Sequence, residues 1–224
     1  MHHILVFLVE DIAFLPIEVL LVTLILHQLL SIMERRSRLE KLNMVIGTFF
    51  SEMGTDLLTY FSKLDPELES IRSNLVVTTK WSDEEFSQVV HNQQGYSYKI
   101  DIKEHDLEHL KDSFSKERDF LLILIENPTL LEHESFTDLL LSIFHFHEEL
   151  SRRQSLKGLP QSDLTHLKVD AQRVYKQLVH EWLEYMRYLK ANYPYLFHLA
   201  MRTNPFDKAA STVIQDKPAE ISDV

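Results

Sequence analysis

The sequence has no cysteine, and its 224 residues include only four glycines and seven prolines. The absence of cysteine excludes disulfides and thiolate metal sites, and it fits a reducing compartment. So few glycines and prolines provide little turn chemistry for a many-stranded sheet, and they favour a mainly helical fold. The glycines are also not clustered, which makes a phosphate-cradling loop hard to build.

Basic charge and catalytic signatures are scarce as well. The chain has 23 Lys and Arg against 34 Asp and Glu, a formal net charge of −11. Non-specific nucleic-acid binding needs a basic surface that displaces counterions, so no nucleic-acid partner is expected. The sequence lacks the Walker, GxGxxG, GxSxG, HExxH and EF-hand patterns. We therefore expect no cofactor, and the sequence indicates no reaction or catalytic residue.

The N-terminal region is the most apolar part of the chain. Residues 12–32 reach the length of about 20 residues that a helix needs to cross a bilayer, and apolar side chains occupy every side of their helical projection. Glu18 lies inside this segment and makes insertion marginal. In a single-pass helix that carboxyl has no partner from its own chain, which suggests a homo-oligomer or a membrane-protein partner. Alternatively, the helix begins near Pro16 and Glu18 lies at the membrane interface.

Charged residues flank this segment asymmetrically. Glu10 and Asp11 precede it, and Arg35, Arg36 and Arg38 follow it. By the positive-inside rule, this asymmetry predicts a single-pass protein of the cell membrane whose C-terminal side is cytoplasmic. The arginines would then contact anionic headgroups of the lipid bilayer. The alternative interpretation is a wholly buried helix of a soluble bundle.

Helical patterning continues beyond the arginines and suggests a mainly α fold, in which a transmembrane helix leads into an antiparallel helical bundle. The predicted parts are a membrane anchor at residues 1–33, a cytoplasmic helical domain at 34–206 and a disordered acidic tail at 207–224. Alternating side chains at residues 96–102 allow at most one short extended segment. Ser82 and Glu85 have capping-box spacing, which predicts the start of a helix.

Four stretches of the chain resemble a known family. They are SEMGTDLL, FTDLLLSIFHFHEEL, HEWLEYMRYLK and NYPYLFHLAMRTNPF. The chain resembles, over about residues 10–206, a family of uncharacterised prokaryotic membrane-anchored helical proteins. The resemblance implies a tethered cytoplasmic helical domain, and it supplies no activity, cofactor or catalytic residue.

Two histidine–carboxylate pairs are the strongest candidates for a site. His145 and Glu149 are four residues apart on one predicted helix, and His166 and Asp170 are four apart on the next. In an antiparallel hairpin, Glu149 would lie level with His166, and His145 with Asp170. Such a cluster can hold zinc, iron or manganese. It can equally form two histidine–carboxylate hydrogen bonds that set the register of the hairpin.

The apolar seams favour the structural interpretation of this cluster. If the seam of the first helix faces the core, His145 points away from the core and Glu149 lies at the flank. On the second helix, His166 points outward and Asp170 lies at the edge. The paired ExxH motifs of di-iron bundles are also missing.

The sequence is therefore most consistent with a membrane-tethered cytoplasmic interaction protein, acting as a scaffold, adaptor or regulator. One alternative is a metal-dependent helical-bundle enzyme that uses His145, Glu149, His166 and Asp170. Another is an accessory subunit of a channel or transporter, in which Glu18 meets a partner within the bilayer.

Overall fold

The computed structural model describes residues 2–130 and 133–213, with their side chains apart from those of residues 2–15, 17 and 94. Within these ranges the regular structure is entirely helical, and no strand is present. Residues 96–103, part of which the sequence allowed as an extended segment, have no regular secondary structure. Most of the predicted acidic tail, residues 214–224, lies outside the described residues.

Eight α-helices account for most of the described chain. They are α1 (His2–Phe49), α2 (Thr55–Leu64), α3 (Asp83–Gln94), α4 (Glu104–Lys116), α5 (Arg118–Ile125), α6 (Glu134–Arg152), α7 (Gln161–Asn192) and α8 (Pro194–Arg202). A π-helical turn, Phe50–Gly54, separates α1 from α2. Two short 3₁₀ turns, Leu68–Ser70 and Arg72–Asn74, lie between α2 and α3.

Local sequence signals determine several helix ends. The predicted capping box begins α3, because the Ser82 hydroxyl accepts a hydrogen bond from the Glu85 amide and the Glu85 carboxylate accepts one from the Ser82 amide. Pro194 is the first residue of α8, where its missing N–H costs no helical hydrogen bond. Pro66 follows the end of α2.

The predicted transmembrane helix is wrong. In the described part of the chain, no helix combines the length and the apolar character needed to cross a membrane. The uncharged run of α1 between Glu18 and Glu34 is about 22 Å long at 1.5 Å per residue, whereas the hydrocarbon core is about 30 Å thick. His27 and Gln28 interrupt even this run. The single-pass topology and the cell-membrane location, which depended on that helix, are wrong as well.

The N-terminal part of α1 is apolar and exposed. The chain divides into one compact unit that ends at Leu42 and a second that begins at Asn43. In the first unit, every large apolar side chain of residues 19–33 is more than half exposed. Glu18 and Arg35 are exposed too. The remaining arginines form ion pairs along the helix, Arg36 with Glu40 at 3.3 Å and Arg38 with Glu34 at 3.5 Å.

The second unit has an aromatic core. Phe49 of α1 meets Phe136 of α6 edge to face, with ring centroids 5.3 Å apart. Phe61 of α2 contacts Tyr175 of α7 at 5.8 Å. All four rings are fully buried. The long helix α7 packs against α2, α3, α6 and α8, so it is the central helix of this unit.

Gly47 lets α1 and α7 approach closely in the second unit. A Cβ atom at this position would lie 3.1 Å from the Tyr185 hydroxyl oxygen. On the next turn of the chain, Phe50 stacks on the Tyr185 ring at 5.2 Å between centroids. Gly47 therefore leaves room for the Tyr185 side chain to pack against both α1 and the π-helical turn that follows it.

Candidate functional site

The hairpin of α6 and α7 carries the polar clusters of the second unit. Each helix buries an apolar seam against the core, and the loop between them reverses the chain through Gly158. Gly158 has a φ of +69°, a left-handed conformation that residues with a Cβ atom rarely adopt. Polar side chains at the flanks of the two seams consequently face one another across the hairpin.

The structure brings together all four residues of the predicted cluster. His145 Nε2 lies 3.6 Å from Asp170 Oδ2, and His166 Nε2 lies 3.6 Å from Glu149 Oε2. These are the pairings expected of an antiparallel hairpin. His166 Nε2 is also 3.4 Å from Asp170 Oδ2, so both imidazoles approach the same carboxylate oxygen. Asp170 is only 2% exposed, although the sequence placed it at the edge of the seam.

Two arginines that the sequence analysis missed complete this cluster. Arg153 bridges the helices, because its Nη1 is 2.8 Å from Glu149 Oε2 and its Nη2 is 2.6 Å from Asp163 Oδ1. Arg173 Nη1 lies 2.9 Å from Asp170 Oδ1. The spacing of four residues from Glu149 to Arg153, and of three from Asp170 to Arg173, is the signal that predicts such pairs. The contact with Asp163 depends on the fold of the loop.

The arginine contacts favour the ionised carboxylates. The hydrogen bonds from Arg153 lower the pKa of Glu149 and that of Asp163. Both carboxylates therefore stay negatively charged over the neutral pH range. We refer to His145, Glu149, Arg153, Asp163, His166, Asp170 and Arg173 as the hairpin cluster.

The hairpin cluster resembles an ion-pair network more closely than a metal centre. Among the residues that the structure describes, no group of three or more His, Asp or Glu side chains is placed to hold a metal ion. Glu149 already accepts hydrogen bonds from Arg153, and Asp170 accepts one from Arg173. Asp170 Oδ2 is buried without a hydrogen-bond partner, and it faces the two imidazoles. Metal binding by His145, Glu149, His166 and Asp170 stays a prediction.

A second polar site lies further along α7, in a cavity of about 420 Å³. Its walls come from α3, α6, α7 and the segment after α3: Val90, Gln93, Tyr98, Ser135, Asp138, Lys176, Gln177, His180 and Glu181. Tyr98 donates a hydrogen bond of 2.9 Å to Gln93 Oε1, and both of these side chains are buried. A concave site of this volume is typical of small-molecule binding, and here every lining residue except Val90 carries a polar group. We call this space the Glu181 cavity.

Glu181 is the most unusual group in that cavity. Its side chain is 2% exposed, and its Oε1 atom has no hydrogen-bond partner. The nearest basic group is His180, whose Nε2 lies 4.0 Å from that oxygen. Burial raises the pKa of Glu181, whereas a hydrogen bond with Ser135 and the charge of His180 lower it by less. A buried carboxyl without a cation is a candidate functional group.

Glu181 is not among the site residues that the sequence predicted, although the sequence contains a signal for it. Glu181 follows Leu178 by three residues and directly precedes Trp182, and both of these apolar residues are buried. A charged residue at helical spacing within an apolar seam is expected to be buried, and buried carboxyls are rare unless paired. The pattern points to an unusual carboxyl, but it does not reveal the cavity beside it.

Comparisons with known proteins identify the family. The family described as "Uncharacterized protein MJ1433, C-terminal helical domain" matches residues 38–202, and the one described as "MJ1433, N-terminal helical domain" matches residues 1–30. Uncharacterized protein MJ1433 of Methanocaldococcus jannaschii is 46% identical over 214 residues, which cover 96% of this chain and 86% of the relative. No solved structure is significantly similar to the chain.

These matches confirm the resemblance in its coarser form, as one to prokaryotic helical proteins without an assigned activity. None of them shows membrane anchoring. A family match over most of the chain and a relative at 46% identity both lead to the same assignment. The chain belongs to the MJ1433 family of helical proteins.

Proposed function

We propose that this protein is a helical interaction protein that self-associates through residues 19–33 of α1. One observation supports the proposal above all others. The eleven large apolar side chains of this run are each more than half exposed, up to 65% for Leu30 and 68% for Met33. Contiguous apolar surfaces of this kind mark sites of protein–protein interaction.

The energetics favour burial of this run in an assembly. Removing the remaining exposed area of each such side chain from water contributes on the order of 1 kcal/mol. The gain over the whole run is comparable to the entropic cost of association, which is about 4–15 kcal/mol. A chain that presents such a run therefore gains by covering it.

A second copy of the chain is the partner that best matches this surface. Apolar side chains occupy every side of the helix, so a groove that contacts one face would leave the others in water. In a coiled coil of three or more strands, each helix contacts at least two others and buries a wider sector of its surface than a helix in a single groove does. The pairs Glu34–Arg38 and Arg36–Glu40 neutralise much of the adjoining charge within each helix. We therefore expect an assembly of more than two chains.

Such an assembly has the properties of a scaffold or adaptor. It holds several copies of the helical unit that begins at Asn43 at high local concentration, which strengthens the binding of any partner that contacts more than one copy. The role requires no reacting group, in keeping with a sequence that lacks the common catalytic motifs.

Light scattering on the full-length chain after gel filtration tests this proposal. The expected mass is at least three times the 26.4 kDa of one chain. A variant with Leu26→Glu and Leu30→Glu should be a monomer, because two charges in the apolar core oppose association. Ile123→Glu is the matched control, since Ile123 is 67% exposed on α5 and outside the proposed surface. Its mass should equal that of the wild type.

Two outcomes contradict self-association. One is that the wild type is a monomer at micromolar concentration and has the same helix content, measured by circular dichroism, as the double variant. The other is a wild-type chain that stays a monomer and co-sediments with added lipid vesicles. Either result would show that residues 19–33 do not bind a second copy of the chain.

A further inference from the structure

The Glu181 cavity has a chemical requirement that its own residues do not meet. Glu181 Oε1 and Gln177 Oε1 are both buried without a hydrogen-bond partner, and both residues line the cavity. Each of these oxygens accepts hydrogen bonds and has lost its contact with water. Leaving such a group unsatisfied costs about 1–3 kcal/mol, and more for a charged one. Two unsatisfied acceptors facing one space indicate a missing donor.

The donors already present at the cavity do not reach Glu181 Oε1. His180 Nε2 is 4.0 Å away, beyond hydrogen-bond distance. Lys176 lines the cavity but is exposed, and among the ion pairs of the described residues it forms none with Glu181 or Asp138. Tyr98 donates its hydroxyl proton to Gln93 instead. Ser135 forms a hydrogen bond with the Glu181 carboxyl, but Oε1 has no partner. This oxygen is therefore left for a group that enters from outside.

The balance of acceptors and charge indicates the class of that group. Two carboxylates line the cavity, Glu181 at its buried wall and Asp138 on the exposed side of α6. A buried carboxylate is stable only when a cation and further hydrogen bonds compensate it. An ammonium group is a cation with several donors, so it can satisfy Glu181 Oε1 and Gln177 Oε1 together. The volume of about 420 Å³ suits a small molecule rather than a peptide.

We propose that the Glu181 cavity binds a small organic amine, whose ammonium group pairs with Glu181 and donates a hydrogen bond to Gln177. The remaining apolar part of the amine packs against Val90 and the Tyr98 ring, which also line the cavity. A second ammonium group, when the ligand has one, lies near Asp138 at the exposed side. The site is independent of the self-association of α1, and either proposal can fail without the other.

Isothermal titration of the full-length protein with 1,4-diaminobutane tests the proposal, and 1,4-butanediol is the uncharged probe of similar size. We expect one equivalent of the diamine to bind and the diol to bind at least tenfold more weakly. Glu181→Gln keeps the shape of the side chain and removes its charge, so the affinity for the diamine should fall at least tenfold.

Matched variants separate loss of the site from loss of the fold. Glu184→Gln changes a neighbouring carboxylate that pairs with Arg187 at 3.1 Å and does not line the cavity, so diamine binding should be unchanged. Val90→Phe fills the cavity without a change in charge and should abolish binding. Lys176→Gln removes a competing cation and should retain or tighten binding. Circular dichroism verifies that each variant is folded.

Several results would overturn the proposal. They are no heat of binding to the wild type, equal affinity for the diamine and the diol, or equal binding by wild type and Glu181→Gln. Loss of binding in Lys176→Gln would also contradict it, because that result indicates an anionic ligand.

Discussion

Asp170 and Glu181 lie on the same helix and are equally buried, yet their surroundings differ. Both carboxyls are 2% exposed. Arg173 hydrogen-bonds one oxygen of Asp170 at 2.9 Å, and two imidazoles face the other oxygen. Among the described residues, the only basic group within 4.0 Å of Glu181 Oε1 is His180, and Glu181 adjoins a cavity. Equal burial therefore does not imply an equal environment: an arginine compensates Asp170, whereas no arginine or lysine of the described residues pairs with Glu181.

The contrast is between a cluster whose charges the chain compensates and a cavity whose buried carboxyl it does not fully compensate. In the hairpin cluster, each carboxylate contacts an arginine or a histidine of the chain, so the charges are compensated when the protein folds. In the Glu181 cavity, the compensation has to come from a ligand or from a bound proton. Three experiments, beginning with the one of largest expected effect, challenge this distinction.

Removing the guanidinium of Arg153 should have the largest effect. Arg153→Met breaks the contacts with Glu149 and Asp163 and leaves these two partly buried carboxylates without their arginine. We expect the free energy of unfolding to fall by about 2–3 kcal/mol at pH 7, measured by urea denaturation at one fixed protein concentration. Arg152→Met is the control, because the adjacent Arg152 is 81% exposed and pairs with Glu148 at the surface, so its loss should cost less than about 0.5 kcal/mol.

The effect of Arg153→Met should also depend on pH. Arg153 holds the pKa of Glu149 below its ordinary 4.5 and that of Asp163 below 3.8. The stability that Arg153 contributes is therefore present above pH 4.5 and is lost as the pH falls through the lowered values. A destabilisation that is equal at pH 7 and in strong acid would contradict the role of these ion pairs.

Replacing Glu181 should show the opposite dependence on pH. Because its folded pKa lies above the ordinary 4.5, the wild type loses stability as the pH rises from 4.5 towards the folded value. Glu181→Gln does not titrate, so its stability relative to the wild type should increase between pH 4 and pH 8. Urea denaturation at both pH values measures this difference, in buffers free of amines. If the difference in stability between the two proteins is the same at both pH values, the chain itself compensates the charge of Glu181.

Replacing the histidines of the hairpin cluster should have the smallest effect on stability. His145 and His166 have half-exposed side chains and lie 3.4–3.6 Å from their carboxylate partners, so each substitution by Ala should cost about 0.5 kcal/mol. Metal analysis of chelator-free protein is the decisive measurement. We expect less than about a tenth of an equivalent of zinc, iron or manganese, whereas one equivalent that disappears in the double variant would establish the metal site.

The N-terminal helix shows what the hydropathy pattern of a sequence can predict and what it cannot. Hydropathy alone could not decide between a membrane span and another apolar helix, because both need a long run of Leu, Ile and Val. The described uncharged run between Glu18 and Glu34 is too short to span, and the same exposed side chains now support self-association. The residues were recognised correctly, whereas the environment assigned to them was wrong.

The sequence by itself determined the helical content, the capped start of α3 and the pairing of His145 with Asp170 and of His166 with Glu149. These features follow from local hydrogen bonds and from the repeat of 3.6 residues per turn, and both depend on residues only three or four positions apart. Only the tertiary structure decided that Arg153 reaches Asp163 and that, among the described residues, no lysine or arginine pairs with the buried Glu181. Compensation of a buried charge depends on groups from distant parts of the chain. The spacing of residues along a helix does not predict which of these groups come together.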